Sequence, residues 1–228
     1  MLEGWAREVK IETFENISIN NELFMKEGLK VRIMMPSFGD TWQDQIYNRP
    51  AYQLKSFVKN SLRRSTRVEK ALWCFDQFST GGYYHWITEI APRLWVASQH
   101  VPADLPLLIP SYFFSKWKFV HEFLSAFNRA LIIFHEGEVV QVKNLTFVGQ
   151  TGGPFNFHPQ AISNSSSLLK NVFANENNQG ERKIYISRRN AGKRMILNED
   201  DVLPIVLKHG FEVVRTEDLS IQEQIRLF

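Results

Sequence analysis

Two well-separated segments of this chain carry side chains whose types and spacing could do chemistry. The first is Gly81-Gly82-Tyr83-Tyr84-His85-Trp86-Ile87-Thr88-Glu89, continuing to Pro92-Arg93-Leu94. A helix through it places His85 and Glu89, four residues apart, on one face. A carboxylate beside an imidazole fixes its tautomer and stabilises the imidazolium. Such a pair suits a general base that takes a proton from a hydroxyl nucleophile. Tyr83, Tyr84 and Trp86 supply flat rings of the kind that stack on sugars. A helix-surface ion pair or a satisfied core histidine is the plainer reading, and both stay open here.

The second segment is basic and follows a short strand, Ile184-Tyr185-Ile186-Ser187-Arg188-Arg189, then runs through Lys193 and Arg194 to Asn198-Glu199. Arg188 and Arg189 leave the carboxyl end of that strand, where open α/β sheets bind their ligands. Guanidinium forks match phosphate oxygens in pairs. Together the segments point to a cleft between two domains and to an activated sugar. A solubilising loop is the alternative for the basic run. Nucleic acid is not expected as a partner, because the run is short, the net charge is only +3 and no nucleic-acid motif is present.

Several function classes fall away. The single cysteine, Cys74, excludes an intramolecular disulfide and multi-cysteine metal sites. No paired-ligand spacing such as HExxH occurs, so neither a metal nor any other cofactor is expected. Phosphate-loop, dinucleotide-fingerprint and GxSxG motifs are missing too. Among the other histidines only His158, after Gly152-Gly153-Pro154, sits in a loop that could line a cleft. Glu3, Arg7 and Glu8 interrupt any apolar leader core, and no stretch has the length of a membrane span. The expected compartment is the cytoplasm.

The elements that must position these residues alternate between strand and helix, which indicates an α/β layered fold. Short strands, for example Leu29 to Met34, open the chain. Leu54, Phe57, Val58 and Leu62 then fall on one helix face, opposite Lys55, Lys59, Arg63, Arg64 and Arg67. That pattern fits the solvated face of a packed helix better than a membrane-surface helix, so a membrane is not predicted as a partner. Ala71 to Phe75 reads as a buried strand, Tyr84 to Val96 as a helix and Leu105 to Ile109 as a strand. Lys116 to Arg129 reads as one amphipathic helix, and Leu131 to Phe134, Val139 to Val142 and Leu145 to Val148 as strands. Asn and Ser dominate from Ser163 to Gly180, a linker composition. A strand at Lys183 to Ser187, an Asn198-capped helix containing Pro204, a strand at Phe211 to Arg215 and a capping box at Ser220-Ile221-Gln222-Glu223 follow. The expected division is a domain over 1–175, a linker over 176–182 and the first part of a second domain over 183–228. A two-strand piece buries both faces of its sheet poorly, so the second domain reads as cut short.

Read in order, these motifs resemble glycosyltransferase family 61. The resemblance rests on Tyr83-Tyr84-His85-Trp86 with Pro92-Arg93-Leu94, then Tyr185-Ile186-Ser187-Arg188-Arg189. Arg194, Asn198-Glu199, Gly210-Phe211-Glu212-Val213-Val214, Leu219-Ser220, Gln224 and Leu227-Phe228 complete it. It implies two facing Rossmann-like lobes and transfer, with inversion, from a nucleotide-sugar donor to a hydroxyl of a glycan or polysaccharide acceptor. On that likeness His85 with Glu89 is the base. Tyr83, Tyr84, Trp86, Arg93 and His158 lie toward the acceptor, and Ser187, Arg188, Arg189 and Arg194 near the diphosphate. Glu89 stands where the family more often has Asp. The family's His-Gly loop would follow Phe228, which implies an incomplete nucleotide pocket. A non-catalytic glycan- or phosphate-binding protein on the same scaffold is the alternative.

Overall fold

A computed structural model describes residues 9–32, 49–76, 82–153, 156–174, 182–190 and 194–227. Gly81, Pro154, Lys193, Phe228 and all of the expected linker except Arg182 lie outside them. The chain divides into two compact units, Met1–Leu168 and Leu169–Phe228.

In the first unit a seven-stranded sheet forms among the described residues. Its strands are β1 (Ile11–Asn20), β2 (Met25–Glu27), β3 (Lys30–Arg32), β4 (Arg64–Trp73), β5 (Leu107–Pro110), β6 (Leu131–Phe134) and β7 (Glu138–Val148). They lie in the order β3-β2-β1-β7-β4-β5-β6. The pairs β2–β3, β1–β2 and β1–β7 are antiparallel, and β7–β4, β4–β5 and β5–β6 are parallel. The α/β class expected from the sequence is therefore present. Parallel strands buried on both faces read as continuous apolar runs, and Ala71, Leu72 and Trp73 with Leu107, Leu108 and Ile109 are all buried.

The helices of this unit among the described residues are α1 (Pro50–Ser61), α2 (Tyr83–His85), a π-helical turn over Trp86–Ile90, α3 (Ala91–His100), α4 (Tyr112–Lys116) and α5 (Val120–Ser125), and a further helix, α6 (Pro159–Phe173), runs across the division at Leu168. Two-residue strands β8 (Gly152–Gly153) and β9 (Asn156–Phe157) pair antiparallel. In the second unit β10 (Ile184–Ile186) pairs parallel with β11 (Glu212–Val214), accompanied by α7 (Glu199–Lys208) and α8 (Ile221–Leu227). The capping box forms: the Ser220 N–H donates to Glu223 Oε2 at 2.7 Å and the Glu223 N–H to Ser220 Oγ at 3.2 Å.

Local expectation and structure part company at four places. The two strands expected within Val139 to Val148 are one strand of 11 residues, Glu138–Val148, because its pairing with β1 and with β4 keeps the same register on both sides of Lys143, at Val142 and at Asn144. Of the expected helix at Lys116 to Arg129 only α5, Val120–Ser125, forms; α4 ends at Lys116, where Trp117 takes an extended conformation (φ −131°, ψ 102°). Its ring is the nearest neighbour of Gly82, where an added Cβ would meet it at 3.3 Å in a backbone already at φ +108°. The Ser-rich stretch after Ser163 is helical, not linker, as far as Phe173. Ala161, Ser165, Leu169 and Phe173 form its buried stripe, and Ser165 hides that stripe from a purely apolar count.

The fourth concerns α1. Its inward residue is Ser56, whereas Leu54, Phe57, Val58 and Leu62 are exposed, Leu62 by 85%. The apolar stripe thus faces outward, opposite to the packed-helix expectation.

Candidate active site

The carboxyl ends of β4 and β7 lie side by side, with Trp73 in register with Phe147, and β5 flanks β4 on its other side. The carboxyl ends of parallel strands are where open α/β sheets place their ligands. Beyond those ends the chain continues as Cys74-Phe75-Asp76 and Gly149-Gln150.

Asp76 and Arg93 form a buried pair, with Arg93 Nη1 donating to Asp76 Oδ2 at 2.9 Å and no exposed surface on Arg93. Arg93 Nε also donates to the carbonyls of Val148 (3.0 Å) and Gly149 (3.2 Å). Gln150 Nε2 donates to the same Asp76 oxygen at 2.7 Å. One guanidinium therefore ties the end of β4, the end of β7 and α3 together. The ring of Phe147 lies beneath it, 5.4 Å from its carbon.

His85, Glu89 and Arg93 repeat every four residues along one stripe. His85 Nδ1 and Glu89 Oε1 are 2.6 Å apart, both half-buried. The helix between them passes through the π turn, where the Ala91 N–H reaches the Trp86 carbonyl. Pro92 explains that turn. It has no N–H for the Thr88 carbonyl and its ring crowds that carbonyl, so the backbone widens by one residue.

Burial pushes the Glu89 carboxyl above its usual range; the His85 hydrogen bond opposes this, the Asp76 charge adds to it, and the Arg93 charge opposes it. Glu89 Oε2 and Arg93 Nη2 are both buried without a hydrogen-bond partner among the described residues. A Glu89 carboxylate accepting from Nδ1–H leaves the basic lone pair of the imidazole on Nε2.

The other residues expected on the acceptor side divide into two groups. Tyr84 is exposed, its ring set edge-on to His85 (5.5 Å) and to Phe157 (6.4 Å). Tyr83 lies edge-on to Phe119, and burial pushes its phenol up. His158 caps α6, its Nδ1 accepting from the Ala161 N–H at 3.4 Å, while its own N–H donates to the Thr151 carbonyl. Trp86 and Arg93 have no surface to offer a ligand. Trp86 is the hub of a cluster with Phe75, Phe113, Phe119 and Phe123. That cluster, not a substrate, accounts for much of the aromatic load. Asp76 went unread in the sequence, although an acid directly after a buried strand run is a visible signal. Cys74 is buried and its thiol pushed up to about 12, which rules it out as a nucleophile.

In the second unit Glu199 organises the basic loop. Its Oε1 accepts from Tyr185 Oη at 3.0 Å and from the Arg188 N–H at 3.1 Å, and the side chain is buried. Burial alone would raise its carboxyl; hydrogen bonds from the Arg188 N–H, Ser187 and Tyr185, with the Arg189 charge, hold it below the usual range instead. Ser187, also buried, accepts from the Arg189 N–H. Arg188 Nε donates to the Arg194 carbonyl at 3.0 Å, and Arg194 has the left-handed φ of +57°. Arg189 is paired to Asp200 and lies 3.8 Å from Glu199. Ser187, Arg188, Arg189 and Arg194 are thus brought into one loop. Among the described residues no cluster of potential metal ligands occurs.

The family pattern described as Glycosyltransferase 61 matches residues 83–228, more than half of the chain and inclusive of both segments above. No curated protein matches the chain.

Proposed function

Given that this chain belongs to the glycosyltransferase 61 family, we propose that it transfers a sugar from a nucleotide-sugar donor to a hydroxyl of a glycan or polysaccharide acceptor, with inversion. Family membership supports glycosyltransferase activity in general. The observation that carries the finer reading is the His85–Glu89 contact of 2.6 Å, anchored at the carboxyl edge of β4 and β7.

In this mechanism the acceptor hydroxyl gives its proton to His85 Nε2 as its oxygen attacks the anomeric carbon. The bond from that carbon to the diphosphate breaks with its electron pair leaving on the phosphate oxygen. Glu89 orients the imidazole and balances the imidazolium that forms. The buried Asp76–Arg93 pair positions the stripe and touches no substrate. In the second unit, the loop held by Glu199, with Ser187 buried inside it, presents Arg188 and Arg194 to the charge developing on the diphosphate. A GT-B arrangement of two Rossmann-like lobes and a cytoplasmic location belong to the same proposal.

The test is to incubate the protein with a panel of nucleotide sugars and hydroxyl acceptors, following nucleoside diphosphate release and the anomeric configuration of the product by NMR. A product of inverted configuration supports the reading. Binding of nucleotide sugar with neither transfer nor release would replace it with a non-catalytic binding protein.

A further inference from the structure

The outward stripe of α1 has a physical cause in the sheet beneath it. Lys26, Ser18, Gln141 and Arg67 are in register across β2, β1, β7 and β4, so they share one sheet face. One step along, Asn20 pairs with Val139 and Val139 with Ser65. Against this polar face α1 turns its own polar residues: Ser56 contacts Lys26 Nζ, and Asn20 Nδ2 donates to Asn60 Oδ1 at 3.3 Å. Leu54 (65% exposed), Phe57 (55%), Val58 and Leu62 are left outside, with Leu29 of the β2–β3 turn also exposed. Contiguous exposed apolar residues rimmed by polar ones mark an interaction surface.

Charge identifies the occupant. Lys55, Lys59, Arg64 and Arg67 are exposed around the stripe. Among the described residues two carboxylates answer them, Glu22 at Lys59 (2.8 Å) and Glu138 at Arg64 (3.7 Å). Beside the stripe opens a cavity of about 300 Å³ that Leu29, Phe57, Lys26 and Arg63 help to line, with no acidic side chain in its wall. Lys26 is 5% exposed, and burial lowers its ammonium group. Arg63 Nη1 is buried with no hydrogen-bond partner among the described residues.

We propose that the α1 face is a docking surface for an anionic lipid bilayer, in which Leu54, Phe57, Val58 and Leu62 enter the acyl boundary and the Lys26–Arg63 cavity receives a lipid headgroup phosphate. A basic helix with an apolar face binds such a surface through both terms together. The flanking lysines and arginines steer toward it, and the cavity gives the buried cations an oxygen-rich partner. This role is independent of sugar transfer. It would hold the protein at a membrane whether or not the donor and acceptor are those proposed above.

The test is flotation of the protein with phosphatidylcholine vesicles, with and without phosphatidylglycerol. The expected result is binding that requires phosphatidylglycerol and falls steeply with added salt. L54S/F57S should weaken it at least about tenfold, with melting temperature unchanged because those side chains are already exposed. Lys26→Met should likewise weaken binding to phosphatidylglycerol vesicles, because it removes a cation that lines the cavity. Three results would overturn the proposal. One is a large fall in melting temperature for L54S/F57S, which means the stripe is covered in solution. The second is concentration-dependent dimerisation abolished by L54S/F57S without vesicle binding, which makes the occupant a second copy. The third is capture of inorganic phosphate by the cavity with no vesicle binding, which makes it a site for a free anion.

Discussion

Replacing Asp76 by Asn should unfold the site from within. The substitution keeps the side-chain shape and removes the charge that faces Arg93 Nη1 at 2.9 Å. Arg93 has no exposed surface and cannot swing to water, and its Nε is already committed to the Val148 and Gly149 carbonyls. An uncompensated buried charge of this kind costs about 3–5 kcal/mol. The Gln150 amide, which donates to the same Asp76 oxygen, loses a charged acceptor as well. The assay is urea unfolding followed by near-ultraviolet circular dichroism, with Asp76→Asn, Arg93→Met and the double variant compared at one pH. The double variant should be less destabilised than the sum of the two singles by about 1–3 kcal/mol, since each single variant strands a buried partner. A cost for Asp76→Asn below about 1 kcal/mol, the range of a solvent-exposed pair, would refute the reasoning.

Glu89→Gln should stabilise the protein at neutral pH and depress turnover. Because the folded-state carboxyl is raised, the folded chain holds that proton more tightly than the unfolded one, so stability falls as pH rises from the ordinary carboxylate range toward the raised value. The gain in Glu89→Gln should therefore vanish below that ordinary range, which thermal melts across acidic to neutral pH would show. Trp86→Ala should cost about 3–5 kcal/mol by emptying the hub of the aromatic cluster, whereas Tyr84→Ala should change the same unfolding midpoint little. Cys74 should resist alkylation by iodoacetamide in the native protein and react once it is denatured, as mass spectrometry would report.

The strand–helix alternation and the His85–Glu89 contact were legible in the chain because both depend on local spacing. What escaped was set by tertiary partners. The inverted packing of α1 follows from the polar row Lys26-Ser18-Gln141-Arg67, assembled from four strands that no local window contains. Trp117 breaks its helix on the way to Gly82, a neighbour distant in sequence. Helix α6 was masked by the serine in its buried stripe. Arg93 was legible as a chemical residue, but only the register of β4 with β7 shows that it serves two carbonyls and an aspartate. Asp76 was in plain view at the end of an apolar run.

The base assignment is tested most directly by the turnover of His85→Ala against wild type, measured as sugar transfer under saturating donor. Loss of the imidazole that accepts the hydroxyl proton should lower kcat at least about a hundredfold while the melting temperature holds. Turnover close to wild type would contradict the account, because the proton would then leave by a route in which the paired imidazole and carboxylate have no part.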